Sequence, residues 1–391
     1  MKINSALAVE SSTASIILNK NLRCGNSLEV IKQELSQNSQ KAILCYEKGW
    51  YEVGKSIKDL FGGQNLACFC LDEEIPFLQS APKLLNSVNN LQELIVIGDE
   101  QLALFALDYC LKSSARVTYI PLDFEFSSFL LRALDSNNNL LIIDENLLSA
   151  CGKNKVADGI RCVLSKKIFF VEMLVNQSIA GLFDCKRAEN CLNEGLKELK
   201  SYLATRSLEK LILALLYVTA SEYLSGCGNI ASSASSILLK MQNLSLKGER
   251  EYLLYKMILR SYELYFTNDT SFTLSLPGVV LEENEINSLF ANEYIKKQIA
   301  LPDYLYDIKR IEEYKSKITA NKELLKVIKQ QLEQIEEDSA MLKRQYGGRK
   351  YSVEHYNAKQ RSKALYLAPY ITEKPSAFHL LFASGFTQYL K

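Results

Sequence analysis

Between residues 41 and 171 the chain repeats one pattern, a short apolar run followed by a stretch with helical spacing. The runs are KAILCY (41–46), NLACFCL (65–71), ELIVIG (93–98), RVTYIP (116–121), NLLIID (139–144) and KIFFV (167–171). Each is rich in β-branched or aromatic residues and is apolar on both faces, as a strand must be when helices cover both sides of a parallel sheet. Helical patterns lie between several of them, notably at 50–61 and 100–112. This alternation predicts an open, mostly parallel α/β sheet.

The pattern stops near residue 176. Beyond it the periodicity is helical, in 184–204, 207–226, 229–242 and 246–266. A charged segment follows at 304–345. Its apolar positions Ile308, Ile311, Tyr314 and Ile318, then Leu325, Ile328, Leu332 and Ile335, recur at three- and four-residue steps. That spacing predicts an amphipathic helix or helical hairpin with a solvated charged face. A partner-binding coil is the alternative. YGGRKYS (346–352) marks a turn before the last helices. The expected organisation is an α/β domain over 1–176 and an all-α domain over 177–391, and the length of 391 residues suits two or three domains.

Composition narrows the function classes. Apolar residues make up 48% and charged residues 23%, enough for a large core. The net charge of +1 argues against a dedicated nucleic-acid binder. The ten cysteines are scattered, mostly inside apolar runs, and read as buried thiols of a reducing compartment rather than as a disulfide framework. With no CxxC and only His355 and His379, a Cys/His zinc site is not expected. Glu10 interrupts the apolar start that an export signal would need. LILALLYVTA (211–220) is too short to span a bilayer and reads as a buried core helix. The expectation is a cytoplasmic protein that engages neither membrane nor nucleic acid.

Several segments carry a resemblance to a known family. IVIG (95–98) followed by VTYIP (117–121) resembles its strand, Gly-rich turn, helix, and strand ending in Pro-Thr-Thr. SIAGLFD (178–184) is similar to its Ala-Gly-x-x-Asp, and SGCGNIASSAS (225–235) to its Ser-Gly-x-Glu-His-x-x-x-His. LKGE (246–249) is similar to Leu-His-Gly-Glu, and 363–381 to the family's C-terminal segment. The chain thus resembles the superfamily of glycerol-1-phosphate dehydrogenase, glycerol dehydrogenase, iron-dependent alcohol dehydrogenase and 3-dehydroquinate synthase. The resemblance implies an α/β nucleotide-binding domain joined to a helical metal-binding domain, with NAD(P) and one divalent cation, zinc or iron, in the cleft.

Carried over by position, the metal site is degenerate. Asp184 matches the family aspartate, but Asn229 and Lys247 stand where histidines should be, and Ser233 replaces the histidine that faces substrate. An amide is a poor ligand for zinc or iron, and a protonated lysine is none. A metal is therefore not expected. Two readings of Lys247 stay open. In one its ammonium pairs with Asp184 at the vacated position, because an isolated buried carboxylate is costly. In the other it points to solvent. Ser233 lies in a run of hydroxyls with no base near it in sequence. A thiolate site rebuilt from Cys185, Cys191 and Cys227 is the remaining route to a metal. His379 and Trp50 read as packing residues, and His355 as a surface residue.

The cofactor turn is degenerate as well. Of the family's glycines only Gly98 remains, followed by Asp99 and Glu100. Asp99 is a good helix N-cap, and Glu100 suits a first helical turn. Leu104 and Leu107 stand where the family has an Asp and a Lys, and Pro121-Leu122-Asp123 replaces Pro-Thr-Thr. The candidate cofactor positions are thus Gly98, Asp99, Glu100, Pro121 and Leu122, with no cofactor expected. The reading is a catalytically inactive relative retained to bind a small anionic ligand or a protein partner, with homo-oligomerisation open. The alternative is an active NAD(P)-dependent dehydrogenase of a polyol phosphate that works without the usual metal, with Lys247 stabilising the alkoxide. A lyase reusing the cleft is a third.

Overall fold

A computed structural model describes residues 21–166 and 186–225, apart from 36–37, 63–64, 73–76, 112, 135–137, 161 and 165, together with the isolated positions 316, 330 and 333. The chain runs β1 (Leu22–Cys24), α1 (Ser27–Glu34), β2 (Lys41–Tyr46), α2 (47–60), β3 (Leu66–Leu71), α3 (Phe77–Leu85), β4 (Glu93–Gly98) and α4 (Glu100–Cys110). It continues through β5 (Arg116–Pro121), α5 (Ser127–Leu134), β6 (Leu140–Ile143) and α6 (Glu145–Ser149). A further helix α7 is helical at 153–160, 162–164 and 166. Two long helices close the described part, α8 (Lys186–Thr205) and α9 (Leu208–Ser225).

The six strands form one sheet in the order β1-β6-β5-β4-β2-β3. Every adjacent pair is parallel, as the two-sided apolar runs require. KAILCY, ELIVIG and RVTYIP are strands over the expected residues. β1 is an addition, three residues long and carrying Arg23, too short and too polar to signal itself. KIFFV (167–171), the helices expected at 229–242 and 246–266, and all but isolated positions of 304–345 lie outside the described residues, as does the domain boundary at 176/177. The described residues through Val163 form one compact unit with Asn193–Ser221.

Period-two alternation sorts the core into two layers. On one face Ile43, Cys45, Ile95, Ile97, Ile120, Leu140 and Ile142 meet Ile31, Val53 and Ile57 of α1 and α2, with Trp50 packed beside them. On the other, Leu44, Leu94, Val96, Val117, Tyr119, Leu141 and Ile143 are buried. There α4 packs on β4 and β5, and the Phe129 ring of α5 lies 4.9 Å from that of Tyr119. Each fully buried aliphatic side chain contributes roughly 1.5–3 kcal/mol. The edge strand β3 departs from the expected two-sided burial. Its residues are mostly half-exposed and Cys70 is exposed, so it corrects the reading of the LACFCL thiols as core residues.

The opposite ends of the strands carry a row of charge. Register places Lys41 beside Glu93 and Glu93 beside Arg116. Lys41 is fully buried; its Nζ donates to Ser39 O at 2.8 Å and lies 4.6 Å above the Phe61 ring. Arg116 reaches Glu34 of α1, which also pairs with Arg23. In α9, residues Leu211–Val218 are buried, consistent with LILALLYVTA as a core helix. Among the described residues no helix is long and apolar enough to cross a membrane.

Candidate functional site

Strand order reverses between β2 and β4, since β3 lies to one side of that pair and β5 and β6 to the other. Ligands of open α/β sheets bind at such a switch point, beyond the carboxyl ends of the strands. Here that edge is formed by Tyr46 with the start of α2, by Gly98-Asp99-Glu100, by Pro121-Leu122-Asp123 and by Asp144. α2 lies close in. A Cβ on Gly49 would come within 2.9 Å of Ile97 O, so a side chain there would push the helix off β4. The next turn, Trp50–Gly54, is a π-helical widening, a feature often found at functional sites.

The β4–α4 turn is built by its own side chains. Gly98 sits at φ +157°, a backbone region that side-chain-bearing residues rarely adopt. Asp99 caps α4, its Oδ1 accepting from Leu102 N at 3.0 Å, the role its sequence position suggests. Glu100 opens α4, but its carboxylate turns to the next helix and accepts from Ser128 N at 2.6 Å and Phe129 N at 3.1 Å. The amides at the start of α5 are thereby taken by an internal anion.

The β5 end is closed in the same way. Gly98 and Pro121 are register partners, and Leu122 N donates to Gly98 O at 3.0 Å. Asp123 accepts from Glu125 N at 3.1 Å and pairs with Lys155 of α7 at 3.0 Å. Burial disfavours the charge of Lys155, but the Asp123 carboxylate, with Glu125 and Asp158, outweighs it and holds the ammonium above its ordinary value. Cys151 Sγ donates to Leu122 O at 2.9 Å. Its thiol is pushed up, first by burial and then by Asp123, against the pull of Lys48 and Lys155. Behind them the Tyr119 hydroxyl lies 3.3 Å from both Gly98 O and Glu125 O. Burial, then Asp123, Glu100, Asp99 and Glu125, raise it well above its ordinary value, so it stays a phenol that ties the two loops together.

At β6, Asp144 caps two helices, accepting from Asn146 N at 3.0 Å and from Ser27 N at 2.8 Å. The arrangement brings Gly98, Asp99, Glu100, Pro121 and Leu122 to one edge. Asp184, Asn229, Ser233 and Lys247 lie outside the described residues, as do Cys185, Cys227, His355 and His379. Among the described residues no three Cys, His, Asp or Glu side chains could hold a metal ion. Tyr119, Cys151 and Lys155 carry no sequence signal for this edge, because their partners lie up to 32 residues away.

No family model matches this sequence, and no curated protein matches it significantly. Solved structures do. A variant of an archaeal halo-thermophilic Red Sea brine pool alcohol dehydrogenase superposes with a TM-score of 0.55 at 11% identity, over 94% of this chain and 97% of that one. The fold is that of the iron-containing alcohol dehydrogenases. The iron-containing alcohol dehydrogenase of Corynebacterium glutamicum has a TM-score of 0.51 at 13% identity, over 93% and 94% of the two chains. Sulfoacetaldehyde reductase from Bifidobacterium kashiwanohense, in complex with NAD+, has 0.53 at 12%, over 95% and 96%. Around this turn the Leu102, Ser128, Phe129 and Glu125 amides are bonded to Asp99, Glu100 and Asp123.

Proposed function

We propose that this chain is a catalytically silent member of the iron-containing alcohol dehydrogenase fold, retained to bind a small anion or a protein partner. The observation that carries the reading is the Glu100 carboxylate on Ser128 N and Phe129 N, beside Asp99 on Leu102 N. A phosphate brought to about 4 Å of either carboxylate meets a repulsion on the order of 4 kcal/mol at an effective dielectric near 20, or roughly three decades of affinity. Ordinary cofactor binding does not survive that cost. The binding half of the proposal is supported by the exposed Lys48 at the start of α2, beside the switch point. In the helical half, the same reading has Lys247 neutralising Asp184 in place of a cation, with Asn229 and Ser233 standing for lost imidazoles.

Calorimetric titration of the full-length chain with NADH and NADPH tests this directly, alongside metal analysis. The expected result is no cofactor binding below millimolar concentration and no stoichiometric zinc or iron. Submillimolar binding of either dinucleotide would overturn the proposal in favour of an active NAD(P)-dependent dehydrogenase of a polyol phosphate.

A further inference from the structure

Among the described residues β3 ends the sheet, and its register sets Cys70 opposite Cys45 of β2, one rung before Tyr46. Neighbouring strands lie about 4.8 Å apart, inside the Cα separations of about 4.4–6.8 Å that disulfides bridge. The two side chains share a face as register partners, and the Cys45 thiol donates to Phe69 O, the carbonyl next to Cys70, at 3.8 Å. Their exposure differs: Cys45 is fully buried, whereas Cys70 is open to solvent. Cys68 stands on the same face, opposite Ile43.

We propose that Cys45 and Cys70 form a reversible disulfide, entered through Cys70 by exchange with a small disulfide such as oxidised glutathione. The Cys70 thiol gives its proton to solvent, and the thiolate attacks one sulfur of the oxidant. The oxidant's S–S bond breaks, one glutathione leaves and takes up a proton, and the other stays on Cys70. Cys45 then attacks the Cys70 sulfur, its proton passes to the departing glutathione, and the Cys45–Cys70 bond forms. Two protein thiols are oxidised and one glutathione disulfide is reduced to two thiols.

The buried partner sets the pace. Burial, with Cys70 and Cys68 beside it, pushes the Cys45 thiol up to about 12. Burial and then Glu47 raise Cys70, with Cys45 beside it pulling the other way, while Lys58 acts on Cys68 in the opposite sense to burial. Thiolate is scarce at neutral pH, so closure is slow and accelerates about tenfold per pH unit over the neutral to mildly alkaline range. The bond ties β3 to β2 just before α2. A Cβ on Gly49 at the start of that helix would lie 3.3 Å from the Cys45 Cβ, so the oxidised pair sits against the switch-point crevice.

The test incubates the full-length protein with oxidised glutathione, alkylates the remaining thiols, and maps tryptic peptides by mass spectrometry. The expected product is a linked pair of peptides, one with Cys45 and one with Cys68 and Cys70, lacking both thiol hydrogens and released by dithiothreitol. Cys68→Ser keeps the link and Cys70→Ser loses it, while Cys45→Ser leaves glutathione stranded on Cys70. A glutathione adduct that persists on Cys70 of the unmodified chain overturns the proposal. So does a link between Cys68 and Cys70, or a Cys70–Cys70 cross-link between two chains.

Discussion

Thr118 stands in the middle of β5 with Ile95 and Leu140 as its register partners, and its hydroxyl finds no hydrogen-bond partner among the described residues. A buried hydroxyl without a partner costs about 1–3 kcal/mol, whereas a methyl of the same shape costs nothing comparable. Thr118→Val therefore raises the unfolding free energy by about 1–2 kcal/mol in urea denaturation. Glu93 poses a different residue-scale problem. Burial lifts its carboxyl above the ordinary 4.5, and Arg116 and Lys41 recover only part of the cost. A carboxyl raised in the folded state contributes stability that is fully present below its unfolded value. That contribution is lost as pH rises through the folded value. The stability of the native chain relative to Glu93→Gln should accordingly fall as pH rises from about 4.5. Any constant offset from leaving Lys41 without its neighbour does not alter that slope. Flat behaviour above that pH in paired thermal melts would show that Glu93 titrates normally.

At the scale of elements, α4 is capped locally by Asp99, whereas the start of α5 is held by Glu100 reaching across from α4. Glu100→Ala removes two hydrogen bonds from the start of α5 and should cost about 1–2 kcal/mol, more than the roughly 1 kcal/mol expected of Asp99→Ala, which loses one. The two variants, compared by denaturant midpoint at constant m-value, rank the caps. Helix contacts impose a second rule. Gly195 of α8 faces α9, where an added Cβ would lie 2.7 Å from Val218 Cγ1 and 3.1 Å from Ala214 O. Alanine is the better helix former by about 1 kcal/mol, yet the overpacking is larger. Gly195→Ala should therefore lower stability by about 1–2 kcal/mol, and a gain on the same measurement would mean that the helices part without strain. The cap of Asp99 was legible because it is local. The reach of Glu100 to α5 was not, because it spans 28 residues and depends on how α4 and α5 lie side by side.

For the molecule as a whole, periodicity and glycine placement carry a definite amount of information. Runs apolar on both faces admit a parallel sheet between helical layers and little else, so the sheet, the boundaries of five of its strands to within a residue, and the burial of 211–220 follow from residue order. So does the resemblance to a dehydrogenase superfamily, which the solved structures bear out at the level of fold. These features depend on neighbours a few positions apart, where side-chain alternation and backbone preference act directly. Strand order, the β1 edge, the exposure of Cys70 and the pairing of Asp123 with Lys155 depend instead on residues brought together across tens of positions. Those contacts obey packing and charge balance in three dimensions, for which a linear pattern holds no term. They, and not the residues of the turn taken singly, decide that the amides at the start of α5 are bonded to Glu100.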